Sequence, residues 1–466
     1  MTEEQAEVRL AYGDDGLGVR FPANRTTVVE PDFRPGVSDP GAELRRALRE
    51  PVAGPPLRAR VKPGQTVAIA ICDATRPQPR QPMIEAVLGE LDGITALDDI
   101  VILVATGTHR GNTAGEIRAM LGDEIPRRVR VVNHDARDRD SLTWCGRFGA
   151  GVPVWLNTEW VQADVRITTG FVEPHFFAGF SGGPKLAAPG LAALDTVLEL
   201  HNAARIGHPR ARWGVCEGNP VHDDVRAIAA GTGVDFCFDV ILNRDQAIVA
   251  AFGGDLLATH AQARALSRSL SMRPVPGRFD VVVTTNSGYP LDQNLYQAVK
   301  GMSAAAQVVK PGGAIICAAE CRDGFPDHGS YRSELASADS PQALLASIES
   351  RAETIPDQWQ IQVQAGIQAR AWVGVHTSFL SADDLRAAHF QPVGDIADAV
   401  AARLAEAGPE ARVCVLPDGP QTIPYVEEPA RRFVPRDEHI AGSRGAASVD
   451  LEAFRADQDT AWRHGS

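Results

Sequence analysis

No stretch of this sequence is rich in lysine, and its 46 Lys plus Arg are outnumbered by 59 Asp plus Glu, for a net charge of −13. That balance excludes a binder of nucleic-acid backbone, whose affinity rests on clustered cations. A small anionic substrate held by one or two buried cations remains open. The seven cysteines, Cys72, Cys145, Cys216, Cys237, Cys317, Cys321 and Cys414, are odd in number and scattered. They offer no disulfide framework, and a reduced, cytoplasmic chain is expected. The start, MTEEQAEVRLAYGDDGLGVRF, is acidic and has no positive-then-apolar pattern. No apolar run approaches the roughly 18 residues of a membrane span, so neither a secretory signal nor a membrane partner is expected. Repeats and low-complexity tracts are absent too.

What is present is an alternation. Short β-branched runs end in Gly, Asp or Pro: Thr66-Val-Ala-Ile-Ala-Ile71, Ile100-Val-Ile-Leu-Val104, Val129-Arg-Val-Val132 and Val165-Arg-Ile-Thr168. Helix-like segments such as 82–91 and 114–121 lie between them. Such alternation predicts an α/β fold with mostly parallel sheets covered on both faces. At about 150 residues per domain the length suggests roughly three domains, which large α/β folds often merge into two. The segment 270–278 carries two prolines and a glycine and reads as a connector. A second βαβ unit follows, with strand 279–285, helix 294–309 and strand 314–319. The expected organisation is an N-terminal α/β domain over 1–272 and a C-terminal α/β domain over 273–420, with an active-site cleft between them. Residues 421–466 are expected as a tail that either packs back or is partly disordered.

Ligands of open parallel sheets sit beyond the carboxyl ends of the strands. Those ends read Cys72-Asp-Ala-Thr-Arg-Pro77, Ala105-Thr-Gly-Thr-His-Arg110, Thr169-Gly-Phe-Val-Glu-Pro-His175 and Asn286-Ser-Gly288. Together they suggest a cleft holding Asp73, Arg76, His109, Arg110 and His175. Two histidines in one cleft can exchange protons on opposite faces of a single centre near neutral pH. Arg76 offers a fork for a carboxylate or phosphate. Gln297 and Lys300 share one helix face beside Tyr296 and could close the same anion site from the other wall.

Three motifs compete for Glu173-Pro-His-Phe-Phe-Ala-Gly-Phe-Ser-Gly-Gly-Pro-Lys185. A phosphate loop fails, because Pro184 stands where its second glycine belongs and Leu186 where its hydroxyl belongs. Gly179-Phe-Ser-Gly-Gly183 matches a hydrolase elbow with Ser181 as nucleophile, although Pro184 and Pro189 interrupt the helix that should follow. The third reading is a glycine-lined backbone presenting Lys185 to a flat cofactor. Downstream, His201 could ligate a metal, but no HxxxH or CxxC partner accompanies it. Its other ligands would have to come from elsewhere.

In order and spacing, Asp73-Ala-Thr-Arg-Pro77, Thr106-Gly-Thr-His-Arg110, the Glu173 to Lys185 segment, His201 and Tyr296-Gln-x-x-Lys-Gly301 resemble the lactate racemase family. That resemblance implies a racemase or epimerase acting at C2 of a 2-hydroxy acid. It also implies nickel held in a pyridinium-3,5-bisthiocarboxylic acid mononucleotide, the nickel-pincer nucleotide, tethered to Lys185 as a thioamide. His201 would be the protein's nickel ligand, and His109 and His175 the acid and base of a hydride-transfer mechanism. Arg76, Gln297 and Lys300 would anchor the substrate carboxylate, with Tyr296 and Trp359 lining the pocket. Asp73 and Thr75 would contact the nucleotide, and cofactor-synthesis enzymes would be partners in maturation. After Gly-Thr-His-Arg, relatives often continue with Pro, whereas this chain has Gly111-Asn112. An extra cation near C3, for which Arg110 is the candidate, would favour a diacid such as malate; a small apolar pocket would favour lactate. A serine hydrolase using Ser181 and a non-catalytic protein that binds nucleotide or hydroxy acid are the readings from other classes.

Overall fold

A computed structural model describes residues 4–326 and 329–427. The first strands are β1 (Gln5–Leu10), β2 (Leu17–Pro22), β3 (Thr26–Val28), β4 (Val67–Cys72), β5 (Ile100–Ala105) and β6 (Arg130–Asn133). Next come β7 (Leu142–Phe148), β8 (Val152–Asn157), β9 (Val165–Phe171), β10 (Pro174–His175), β11 (Gly179–Phe180), β12 (Phe236–Leu242) and β13 (Ile248–Gly254). The remainder are β14 (Met272–Val275), β15 (Phe279–Thr285), β16 (Val309–Ala318), β17 (Trp372–His376), β18 (Gln391–Pro392), β19 (Val413–Leu416) and β20 (Ile423–Val426).

Two six-stranded sheets organise the chain. The first runs β13-β12-β9-β4-β5-β6 and is parallel except for the β12–β13 pair. The second runs β18-β17-β16-β15-β19-β3 and is parallel throughout. Helices cover these sheets, so the fold is the α/β class expected from the alternation. In β4 the larger side chains Val67, Ile69 and Ile71 enter one apolar core, while Ala68 and Ala70 enter the core on the opposite face. A strand buried on both sides must be apolar at every position, which is why these runs were legible. Phe236 of β12 is fully buried in the first of those cores. Phe236→Ala should lower stability by roughly 3–5 kcal/mol, from lost burial plus a cavity, and a urea titration of the chain checks it.

Strand order places the site. From β4 the chain moves outward through β5 to β6, then returns to β4's other side with β9. The crevice lies where the order reverses, beyond the carboxyl ends of β4 and β9. In the second sheet the same reversal occurs at β15, between β16 and β19. The helix after β15, Leu295–Ala305, starts where Asn294 Oδ1 accepts the Gln297 N–H at 3.1 Å.

Three local expectations change. The helix read over 294–309 ends at Ala305, and strand β16 starts at Val309, five residues before the strand read from Ala314. The connector at 270–278 contains β14, which pairs in parallel with β20. Thr26–Val28, within the expected N-terminal domain, joins the second sheet, since β3 pairs with β19. Residues 421–427 of the expected tail include β20, and residues 428–466 lie outside the described residues. Among the described residues no helix is long and apolar enough to cross a membrane.

Candidate active site

The loop after β4 carries Asp73, Thr75 and Arg76, and a buried arginine shapes it. Arg80 donates to the carbonyls of Cys72, Asp73, Arg76 and Gln78, with no carboxylate among these partners. Four carbonyls around one guanidinium fix the path of the loop. Within it, the Thr75 hydroxyl donates to Asp73 Oδ1 at 2.7 Å, and Asp73 Oδ2 lies 2.6 Å from His109 Nδ1 at the end of β5. Burial works against the Asp73 charge. The His109 hydrogen bond and charge, with Thr75 and Arg76, outweigh it and hold the carboxyl below its ordinary range. Asp73, expected at the nucleotide, therefore has His109 as its close partner.

Beyond β9 the chain makes the β10–β11 turn, and His175 ends β10. Its Nδ1 accepts from the backbone N–H of Ala178 at 3.2 Å and of Phe177 at 3.5 Å. Burial, then the charges of Lys185, Arg76 and Lys300, push the His175 imidazole well below its ordinary 6.5. Gly182 and Gly183 then turn the backbone with φ of 72° and 49°. A Cβ on Gly183 would stand 2.7 Å from the His260 ring, so glycine is required there by both conformation and space. The turn delivers Lys185 on the short helical segment Gly183–Leu186. Behind it, buried Asp239 accepts the Gly183 N–H at 2.9 Å.

The chain has four lysines, and two of them, Lys185 and Lys300, act on one another's charge here. Both are lowered to about 7, first by burial and then by Arg76, with Glu173 opposing. Glu173 opens onto the same cleft; desolvation raises its carboxyl, against the pull of Arg76, Lys300 and Lys185. Lys300 Nζ donates to Gln297 Oε1 at 2.6 Å, so the i to i+3 pair does share a face. Tyr296, beside them, packs with Trp359 against one apolar core. Trp359 in turn lies 4.9 Å from the His201 ring, and Phe177 meets that ring edge-on at 5.3 Å. Apart from Arg110 and Ser181, the candidate site residues read from the sequence thus fall into one connected neighbourhood.

His201 ends the helix Leu194–Leu200, and its Nδ1 sits 2.7 Å from the Val197 carbonyl. A carbonyl only accepts, so Nδ1 carries the hydrogen and the Nε2 lone pair is free for a metal. Burial lowers its pKa to about 4, so the imidazole is neutral, as a ligand must be. Among the described residues no three His, Cys, Asp or Glu are grouped to hold a metal ion. A metal at His201 would draw its remaining ligands from a bound group, and Lys185, partly uncharged near neutrality and with no ion pair among the described residues, fits a covalent tether.

Two sequence candidates point elsewhere. The Arg110 guanidinium forms a two-pronged pair with Glu116 at 2.7 and 2.9 Å, and its side chain is 70% exposed. The Ser181 hydroxyl donates to the Phe171 carbonyl at 3.0 Å and accepts the Glu173 N–H at 2.9 Å. The nearby histidine, His260, bonds the Ser181 carbonyl at 2.8 Å rather than the hydroxyl, so no base faces a nucleophile. Sequence reasoning missed Arg80, Glu173 as a cleft carboxylate, and Phe177. Glu173 and Phe177 stood inside the motif it singled out; Arg80 gave no signal.

His222 and His260 stack 5.8 Å apart behind the tether turn. Burial and then the Arg264 charge lower them to about 4 and about 3. Unfolded, each would titrate near 6.5, so between 6.5 and these values the unfolded chain binds more protons. Their stabilisation is complete above pH 6.5 and is lost progressively as pH falls from 6.5 to 4 for His222 and to 3 for His260. The thermal midpoint should drop over that window, and His260→Gln, which keeps a donor for Ser181, should flatten part of the slope.

The chain is similar to known proteins over most of its length. Residues 12–214 match the lactate racemase N-terminal domain, and residues 276–423 the lactate racemase C-terminal domain. The chain is 33% identical over 425 residues to the lactate racemase of Thermoanaerobacterium thermosaccharolyticum, covering 90% of this chain and 99% of that protein. It is 35% identical over 378 residues to the lactate racemase of Lactiplantibacillus plantarum, covering 81% and 89%. The structure of the lactate racemase apoprotein from T. thermosaccharolyticum superposes with a TM-score of 0.84 at 31% identity, covering 90% of this chain and all of that one.

Proposed function

The chain belongs to the lactate racemase family and is a racemase, and from that premise we propose that it interconverts the enantiomers of lactate or a lactate-like 2-hydroxy acid. The observation that supports this reading is the meeting of His109 and His175 with Arg76 and Lys300 at the ends of β4, β5, β9 and the helix Leu295–Ala305. A racemase at C2 needs a carboxylate anchor and a proton acceptor for each hand of the substrate, and these four residues offer both.

We assign residues 1–272 to the tether and the histidines, and 273–420 to closure of the substrate site. Lys185 and His201 would hold a nickel-pincer nucleotide, with Asp73 and Thr75 bordering its nucleotide end. When bound, that group supplies a hydride acceptor and donor for C2, which avoids the dianion that proton abstraction beside a carboxylate would create. The chain's own residues do the rest. Arg76 and Lys300 bind the carboxylate, with Gln297 orienting the Lys300 ammonium. His109, held by Asp73, takes the hydroxyl proton of one enantiomer, and His175 serves the other. Trp359 and Tyr296, packed against one apolar core, would wall the pocket and keep water out.

A monoacid fits better than a diacid. Arg110, the candidate second anchor, is committed to Glu116, and the additional charge in the cleft is the carboxyl of Glu173. The reading places the protein in the cytoplasm, dependent on cofactor-synthesis enzymes. The test is to make the chain with those enzymes and nickel, then follow L-lactate and D-lactate by chiral chromatography. Each should run to an equal mixture, and protein made without the enzymes should be folded and inactive. Loaded protein that leaves lactate, malate and larger 2-hydroxy acids unchanged would overturn the reading.

A further inference from the structure

The two histidines differ in what holds their second nitrogen. Asp73 can only accept once ionised, and its carboxyl is within 2.6 Å of His109 Nδ1. Nδ1 of His109 therefore carries the hydrogen, and in the neutral ring Nε2 keeps its lone pair. At His175 the partners are the backbone N–H groups of Ala178 and Phe177, at 3.2 and 3.5 Å. A backbone N–H can only donate, so His175 Nδ1 holds the lone pair and Nε2 carries the hydrogen. One imidazole presents a bare nitrogen and the other an N–H.

We infer that the pair is asymmetric in the resting protein: Asp73 is a positioning residue that makes His109 a standing base, while the Phe177 and Ala178 amides make His175 a standing hydrogen-bond donor. The inference rests on the assignment of both histidines to proton transfer. Its consequence is an order of events. The enantiomer whose hydroxyl faces His109 can lose its proton at once: the O–H bond breaks, an N–H bond forms on Nε2, and Asp73 stays ionised as counter-charge. The other enantiomer meets an N–H. Before His175 can accept a proton on Nε2, its hydrogen must re-form on Nδ1, which breaks both backbone contacts. Phe176 and Phe177 pack against the His175 ring at 5.0 and 4.6 Å and resist that rearrangement.

Overall equilibrium forbids a difference in kcat/KM between mirror-image substrates, so steady-state racemisation cannot read the asymmetry. Two other measurements can. Neutron diffraction from crystals of the chain in heavy water should show deuterium on Nδ1 of His109 and on Nε2 of His175. Deuterium on Nδ1 of His175, or on Nε2 alone of His109, would overturn the inference. In the loaded enzyme, Asp73→Asn reverses the hydrogen bond at His109, as an amide N–H donates to Nδ1. Acid-quenched single turnovers of each enantiomer, assayed for the 2-keto acid, should then show one enantiomer slowed roughly 10³- to 10⁴-fold, the scale of such carboxylate-to-amide changes in serine proteases. The other should be slowed far less, so that the ratio of the two rates shifts. Equal slowing of both would count against Asp73 as a positioning residue, because a general loss of structure would do that. If loaded wild-type protein forms keto acid from neither enantiomer, the proposed function fails instead, while the neutron map still decides the hydrogen positions.

Discussion

Lys185→Ala should yield a folded chain that gains no covalent mass when made with the cofactor-synthesis enzymes and racemises lactate no faster than buffer. Lys185→Arg should fail in the same way. The reason lies in the charge state of one amine. Burial, then Arg76 and Lys300, bring the Lys185 ammonium to about 7, so near neutrality a large share is the free amine that can attack a carbonyl-type centre. A guanidinium stays protonated and cannot substitute. Intact-mass measurement separates this outcome from misfolding, and circular dichroism should overlay that of the parent. An adduct of the expected mass in Lys185→Ala would move the tether to another residue.

His109→Ala should lower racemisation by roughly 10²- to 10⁴-fold, the usual worth of a positioned proton acceptor. The KM for lactate should stay near that of the parent, because the proposed carboxylate anchors, Arg76 and Lys300, are untouched. Asp73 would be left buried without its imidazole partner, so a modest loss of thermal stability should accompany the change. Nickel content, read by metal analysis, should not move, since the proposed ligand is His201. Loss of nickel with activity would assign His109 to the metal site.

The residues that spoke clearly in the sequence are those whose physics is local. Val67–Cys72 and Ile100–Ala105 read as strands because both faces are buried and every position is apolar. The helix Ala114–Leu121 coincides with the segment read from the sequence, and Thr113 and Glu116 cap it reciprocally. The hairpin β1–β2 was silent because it is half exposed and carries charges on its open face, so no apolar run announces it. Strand β3 is three residues long and finds its place only by pairing with β19, near the other end of the described chain.

For the site, the sequence by itself determined the fold class, the order of motifs, and which side chains were worth watching, down to Lys185 and His201. Those follow from periodicity, punctuation and residue chemistry, which a chain carries along its length. Only the tertiary structure decided the pairings: His109 with Asp73 rather than open solvent, Trp359 against His201 across the two sheets, Arg110 with Glu116 and out of the cleft, and Ser181 with the backbone. A hydrogen bond or an electrostatic shift depends on distance and burial. Both arise when strands distant in sequence come to lie side by side.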